Sequence, residues 1–323
     1  IDLILKNFNV KGVIFVPLNL ETFLFCKKKR LEIFNFQENI GNKFHQSALE
    51  TSKKFTDNLQ FIDNLNYSLK SEIIFLLRFR LNSLLFLIEI VESCKRQYKI
   101  DTLIISGVIT KFHKNFYEAN IVSEIIEYVY GSEFIIQKLI NRNILEKKPI
   151  LTKYHSLQKI KSKKKNILLS NAGYNFSRII KIIKKYNINF WVPFYEQLSL
   201  LKKIVFFFKG FQPIEFIKDY QNVEKEKVFI EKINFSYGKI DLSKLLNNFY
   251  NKLNFYFNDV EQKSVAIKKF INNNNFSLTI SNITKGLDGC ILDREISCNS
   301  LCIPHGIIAK SLNKYDEIYK KIL

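Results

Sequence analysis

Residues 277–306 read SLTISNITKGLDGCILDREISCNSLCIPHG. The apolar, β-rich run 276–280 predicts a strand. Ser281, Asn282 and Thr284 follow it, and side chains of this type cap a helix by accepting its free backbone N–H groups. Leu287, Ile291 and Leu292 give that helix one apolar face. Residues 301–303 then predict a second buried strand, which runs into Pro304-His305-Gly306. A strand–helix–strand unit of this length lays its two strands parallel, and open α/β sheets bind ligands at the carboxyl ends of their strands. Those ends are Ser281-Asn282 and His305-Gly306. A histidine followed by glycine can present an imidazole to a ligand that the backbone approaches closely. Asp288 lies one turn into the helix, where it caps the helix start or orients the imidazole.

The same rhythm occurs earlier. Residues 166–170 (NILLS) predict a strand, 171–175 (NAGYN) a turn, 176–186 a helix with Ile179, Ile180 and Ile183 inward, and 189–194 (NFWVPF) a strand with the only Trp. The turn lacks both GxGxxG and GxxxxGK[ST], so neither a dinucleotide nor a P-loop fingerprint is present. Its N–H groups at a helix start still suit a sugar or phosphate.

Further toward the amino terminus, 13–17 (VIFVP), 31–36 and 101–108 (DTLIISGV) read as strands. Residues 19–26, 71–97, 121–130 and 133–140 read as helices. Residues 241–257 and 259–272 read as two separate helices, broken at Asn258-Asp259. Residues 198–217 contain LLKKIVFFFKGFQPIEFI, and its apolar patch 205–208 is read as part of a buried strand or helix, with contact at a membrane surface as the lesser use. The expected whole is an α/β fold with a Rossmann-like, mainly parallel sheet and helices on both faces. Strands near Val13, Leu103, Leu168, Trp191, Leu278 and Cys302 would belong to that sheet.

The 50 Lys and Arg against 30 Asp and Glu give a formal charge of +20. Such a balance raises nucleic acid or an anionic membrane as partners. Lys, Asn, Ile and Phe are abundant together, as AT-rich codons would make them. The surplus is lysine rather than arginine, the bidentate reader of phosphates and bases. The charge is therefore read as compositional, with no specific nucleic-acid partner. The five cysteines show no CxxC pair and no zinc-finger spacing, so reduced, buried thiols and no metal are expected. His45 reads as a surface residue, and His113 as a lesser candidate facing a cleft.

The chain begins at Ile1 and has no Met, which predicts a piece of a longer protein. Residues 1–310 are expected to form one Rossmann-like domain, with 146–165, ending in KIKSKKK, as an internal connector. Residues 311–323 would begin a linker to a further domain.

The segments 168–193 and 281–306 resemble the amino-terminal domain of bacterial surface-polysaccharide glycosyltransferases of the two-domain B fold (GT-B). Those proteins carry a strand ending in a Gly-bearing turn, then a helix after a Ser/Asp turn, then an apolar strand running into a His-Gly loop. The resemblance covers roughly residues 166–310 and implies the acceptor-side half of a two-domain enzyme of polysaccharide, capsule or cell-envelope biosynthesis. It implies transfer of a sugar from a nucleotide-sugar to a growing glycan acceptor, with the donor-binding domain outside this chain. His305 would be catalytic. Asn171, Gly173, Tyr174, Ser281, Thr284, Asp288 and Gly306 would contact substrate. No cofactor is implied beyond the nucleotide-sugar substrate, and no metal, since helix N-termini and basic side chains can neutralise phosphate. The expected location is the cytoplasm, with peripheral contact at the cytoplasmic face of the inner membrane. The alternatives are a basic nucleic-acid-binding protein and a sugar-nucleotide epimerase-like enzyme of the same fold.

Overall fold

The structure is a computed structural model. It describes residues 2–9, 11–35, 38, 40–62, 65–109, 119–142, 152–172, 176, 180, 186–219, 227–281, 287, 289 and 296–302. In chain order the helices are α1 (Asp2–Asn7), α2 (Leu20–Lys28), α3 (Asn42–Asp57), α4 (Tyr67–Gln97), α5 (Ala119–Tyr130), α6 (Leu200–Phe208) and α7 (Ser243–Asn272). The strands are β1 (Thr102–Ile109), β2 (Ile135–Arg142), β3 (Lys153–His155), β4 (Lys165–Leu169), β5 (Ile188–Phe194), β6 (Phe211–Glu215), β7 (Ile217–Asp219), β8 (Ser236–Tyr237), β9 (Ile240–Asp241), β10 (Leu278–Ser281) and β11 (Asn299–Cys302). The contacts divide the chain into two compact units. One comprises residues 1–60, 76–148 and 232–250, the other residues 61–75, 149–231 and 251–323.

The first unit contains a two-stranded parallel sheet, β1 with β2, in the register Leu103↔Ile136. Residues 133–140, expected to be helical, are thus mostly strand. Gly131 closes α5, and the β-branched run that follows suits an extended chain better than a helix. The strand at Leu103 consequently lies outside the main sheet. Residues 13–17 and 31–36 contribute one parallel bridge, Phe15 to Ile33, rather than strands. Phe15 and the buried Cys26 of α2 share a core with Ile4, while Phe34, Ile40, Ile90 and Cys94 form another. Asn19 caps α2 by accepting from the Thr22 N–H at 2.8 Å.

The second unit is built on a five-stranded sheet, all parallel, in the order β11-β10-β4-β5-β6. Numbered by chain order within the sheet, that is 5-4-1-2-3. Ile167, Leu169, Phe190, Val192, Phe211 and Ile280 face one side, against Phe176, Ile180 and the half-buried Phe206 of α6. Leu168 and Ile214 face the other side, against Ala266, Ile267, Phe270 and Ile271 of α7. Strands covered on both faces carry near-continuous apolar runs, as NILL and NFWV do here. The fold is α/β, and this sheet is compatible with a Rossmann-like class.

Residues 152–165 are built into this unit. β3 pairs antiparallel with β7. Ile160 packs on the core, and its N–H donates to Asn274 Oδ1 at 2.8 Å.

Two further expectations are corrected. The helix break at Asn258-Asp259 is absent, and α7 runs unbroken through it. Asn258 donates its amide to the Lys227 and Asn254 carbonyls and accepts from the Lys227 N–H at 2.9 Å. A residue that reads as a breaker is thus satisfied inside the helix. The patch 205–208 is not buried, with Phe206 half-buried and its neighbours exposed. β6 is an edge strand, while α6 has no buried residue.

No helix among the described residues is long and apolar enough to cross a membrane. Of the cysteines, Cys26, Cys94, Cys298 and Cys302 are free. Burial pushes the Cys94 thiol up to about 11, which keeps it protonated and unreactive.

Candidate functional site

In a sheet of order 5-4-1-2-3 the chain leaves β4 in one direction and returns on its other side at β10. In an open sheet of this order ligands bind at the carboxyl ends of these two neighbours, which makes those ends the candidate site. β4 and β10 pair in the register Leu168↔Thr279 and Leu169↔Ile280. The Ser170 N–H continues the ladder, donating to the Ile280 carbonyl at 2.8 Å. Ser170, Asn171 and Ala172 follow β4 at this edge and form one lip of the candidate site, and Ser281, the last residue of β10, forms the other.

The two lips differ in access. Asn171 is half-buried, and its Nδ2 donates to Ser170 Oγ at 3.2 Å. Ala172 packs on the core below it. Ser281 is fully buried, so it shapes the site from inside. Among the described residues expected to contact substrate, Asn171 has the accessible side chain. Ser281 also pairs with Cys302 across β10 and β11, which brings the carboxyl end of β11 to the same edge. Asn171 and Ser281, expected on one edge from separate segments of sequence, thus lie there on adjacent strands. Gly173, Tyr174, Thr284, Asp288, His305 and Gly306 lie outside the described residues, as does His113. His45 is exposed, with its ring 4.3 Å from that of Phe86.

A polar cluster that sequence reading missed stands past the end of β5. Tyr154 Oη donates to Asp259 Oδ1 at 2.6 Å, and Lys263 pairs with the other carboxylate oxygen. The Lys263 ammonium lies 5.4 Å from the Tyr154 ring centroid and 5.2 Å from that of Tyr195, the residue following β5. Asp259 and Lys263 are four residues apart on α7, which is a visible helical pair. Tyr154 is 105 residues from Asp259 in the chain, so no local pattern announces its bond.

Glu196 follows Tyr195 at the same edge and pairs loosely with Lys202 at 3.5 Å. Among the described residues no three His, Cys, Asp or Glu side chains gather as a metal site. The described residues of the two lips carry hydroxyl and amide groups, a chemistry that exchanges hydrogen bonds with hydroxyl-bearing ligands.

Comparison with protein-family models, with curated proteins and with solved structures finds no match for this chain.

Proposed function

We propose that this chain forms the acceptor-side half of a glycosyltransferase of the two-domain B fold. That enzyme would move a sugar from a nucleotide-sugar to a growing surface glycan. One observation carries the reading: the chain reverses between β4 and β10, and the described residues at their carboxyl ends present neutral hydroxyl and amide groups. The sequence resemblance supports it as well, since Asn171 and Ser281, which lie at those strand ends, belong to the two segments that carry it.

In this reading Asn171 holds an acceptor hydroxyl. His305, three residues beyond Cys302 in the chain, acts as general base. It takes the proton from the attacking hydroxyl. The oxygen then bonds to the anomeric carbon as the bond to the nucleoside diphosphate breaks, and the diphosphate leaves with the bonding pair. The donor half and the positioning of the nucleotide belong to residues outside this chain.

A second reading, a sugar-nucleotide epimerase-like enzyme, draws support from Glu196. A carboxylate just beyond the second strand of such a sheet is placed to accept from a ribose hydroxyl. The experiment that separates them supplies the protein containing this chain with labelled nucleotide-sugars, with and without a glycan acceptor. Acceptor-dependent release of nucleoside diphosphate supports transfer. Conversion of the nucleotide-sugar without acceptor supports the second reading. Tight, steeply salt-dependent DNA binding with neither reaction would overturn both in favour of a nucleic-acid-binding protein.

A further inference from the structure

Helix α6 is amphipathic the wrong way round for a core helix. It carries the sequence LLKKIVFFF from Leu200 to Phe208, capped at its start by the Ser199 side chain. Phe206 faces the sheet, its ring 4.8 Å from that of Phe194. Lys203 is held by Glu215 at 2.7 Å. The remaining apolar side chains, Leu200, Leu201, Ile204, Val205, Phe207 and Phe208, are exposed, with Phe207 at 71% and Phe208 at 78%. At 100° per residue these six span an arc of about 160° centred opposite Phe206. A helix that turns one phenylalanine to the sheet and six apolar groups outward has, among the described residues, no element covering its larger apolar face.

Charge indicates what covers it. All strands of the sheet are parallel, so all their amino ends lie on one edge. The C-terminal end of α6 reaches that edge through Lys209 and the left-handed Gly210, which turns into β6. The run Lys161, Lys163, Lys164 and Lys165 enters β4 at the same edge, two strands away, or about 10 Å. All four lysines are exposed, and none pairs with a carboxylate among the described residues. Hydrogen bonds tie the edge together. Asn189 Nδ2 donates to Ser162 Oγ at 2.8 Å, and Gln212 Nε2 donates to Asn189 Oδ1 at 3.4 Å. The exposed Tyr186 precedes β5 there, and an aromatic ring with a polar tip suits a membrane–water boundary.

We propose that α6 and the lysines of residues 161–165 dock this protein on an anionic phospholipid surface. The outward leucines and phenylalanines enter the acyl boundary, and the lysines meet lipid phosphates. The candidate site lies at the carboxyl ends of β4 and β10, on the opposite edge of the sheet, so docking leaves it accessible.

The test is sedimentation of the full chain with vesicles of phosphatidylcholine alone and of phosphatidylcholine with phosphatidylglycerol. Binding is expected for the anionic vesicles only and should weaken as salt rises. Both F207S/F208S and K161E/K163E/K164E should weaken it by at least about tenfold, since each lysine near such a surface is worth about fivefold. Val265→Ser alters an exposed apolar residue of α7, which packs on the opposite face of the sheet, and should bind as the parent does. The altered side chains are exposed, so matched circular dichroism and melting are expected for every variant. Unchanged binding by F207S/F208S, or no binding to either vesicle, overturns the proposal. So does a concentration-dependent dimer, abolished by F207S/F208S, in a chain that ignores vesicles; that result assigns the face to a second copy.

Discussion

The indole N–H of Trp191 donates to Asn166 Oδ1 at 3.0 Å across β5 and β4, and Asn166 is buried. The same oxygen accepts from Asn189 Nδ2 at 3.3 Å, and the Asn166 amide donates to the Asn275 carbonyl at 3.0 Å. One side chain thus ties two strands to the turn before β10. Asn166→Leu leaves an indole N–H and a carbonyl without these partners, at a cost of about 2–4 kcal/mol. Trp191→Phe removes one bond, and the Asn189 contact to the same oxygen remains. A urea series should rank Asn166→Leu as the more destabilising of the two, and the reverse ranking would show that ring packing outweighs the network.

Arg80 is fully buried on α4, with its guanidinium 5.0 Å from the Phe249 ring centroid. Its Nε and Nη1 find no acceptor among the described residues. Burial holds its pKa down to about 10, against a smaller opposing pull from Glu124. A cation whose folded pKa is lowered costs stability in full below the folded value, and the cost eases only as pH rises above about 10. At neutral pH Arg80→Met should therefore be neutral or stabilising, by up to ~4 kcal/mol. Thermal melting at pH 7 checks this. A clear fall in Tm would mean that the charge has a partner worth more than its desolvation.

Glu215 anchors α6. Oε1 accepts from the Leu198 N–H at 2.6 Å, and Oε2 pairs with Lys203 at 2.7 Å. Burial pushes its pKa up, but the Lys203 and Leu198 bonds prevail and hold it below the ordinary 4.5. A lowered carboxylate pKa adds stability above the unfolded value, and that stability is lost as pH falls through the folded value. Glu215→Gln retains an acceptor for Leu198 and loses the ion pair, which is partly exposed and worth only about 1 kcal/mol. Parent and variant should differ in urea midpoint at pH 7 and converge in acid below pH 4.5. A gap that persists in acid would place the effect in packing instead.

Four of the five strands of the main sheet, β6 being the exception, lie in segments whose composition marks them. NILL and NFWV are continuous apolar runs bounded by polar turns, and such runs belong to strands buried on both faces. That Asn171 and Ser281 stand at strand ends is legible for the same reason, since a strand's end is a local property. Strand order is not local. That β10 returns beside β4, while β6 takes the far edge, depends on packing between segments about a hundred residues apart. The exclusion of Leu103 from this sheet is of the same kind, because its partner β2 was read as a helix from an apolar run that fits either period. Helix α6 misled for a different reason. Apolar residues usually lie inside, and nothing in LLKKIVFFF says which side of the helix meets the sheet.

The last prediction concerns the candidate site. Asn171 holds an acceptor hydroxyl and His305 takes its proton in the proposed reaction, so their losses should appear in different kinetic constants. Asn171→Ala removes an uncharged contact made in ground and transition states alike. It should raise the acceptor KM by about tenfold with little change in kcat. His305→Ala removes the general base and should lower kcat by about two to four orders of magnitude. The pH profile separates base from binder. The parent should lose activity on the acid side of its profile, because a protonated imidazole cannot accept a proton, and His305→Ala should lose that limb. The assay uses the protein that contains this chain, with saturating nucleotide-sugar and varied acceptor. Transfer that keeps the parent's rate and pH limb in His305→Ala would remove this histidine from the mechanism. The role of Asn171 would then stand or fall on its own effect on KM.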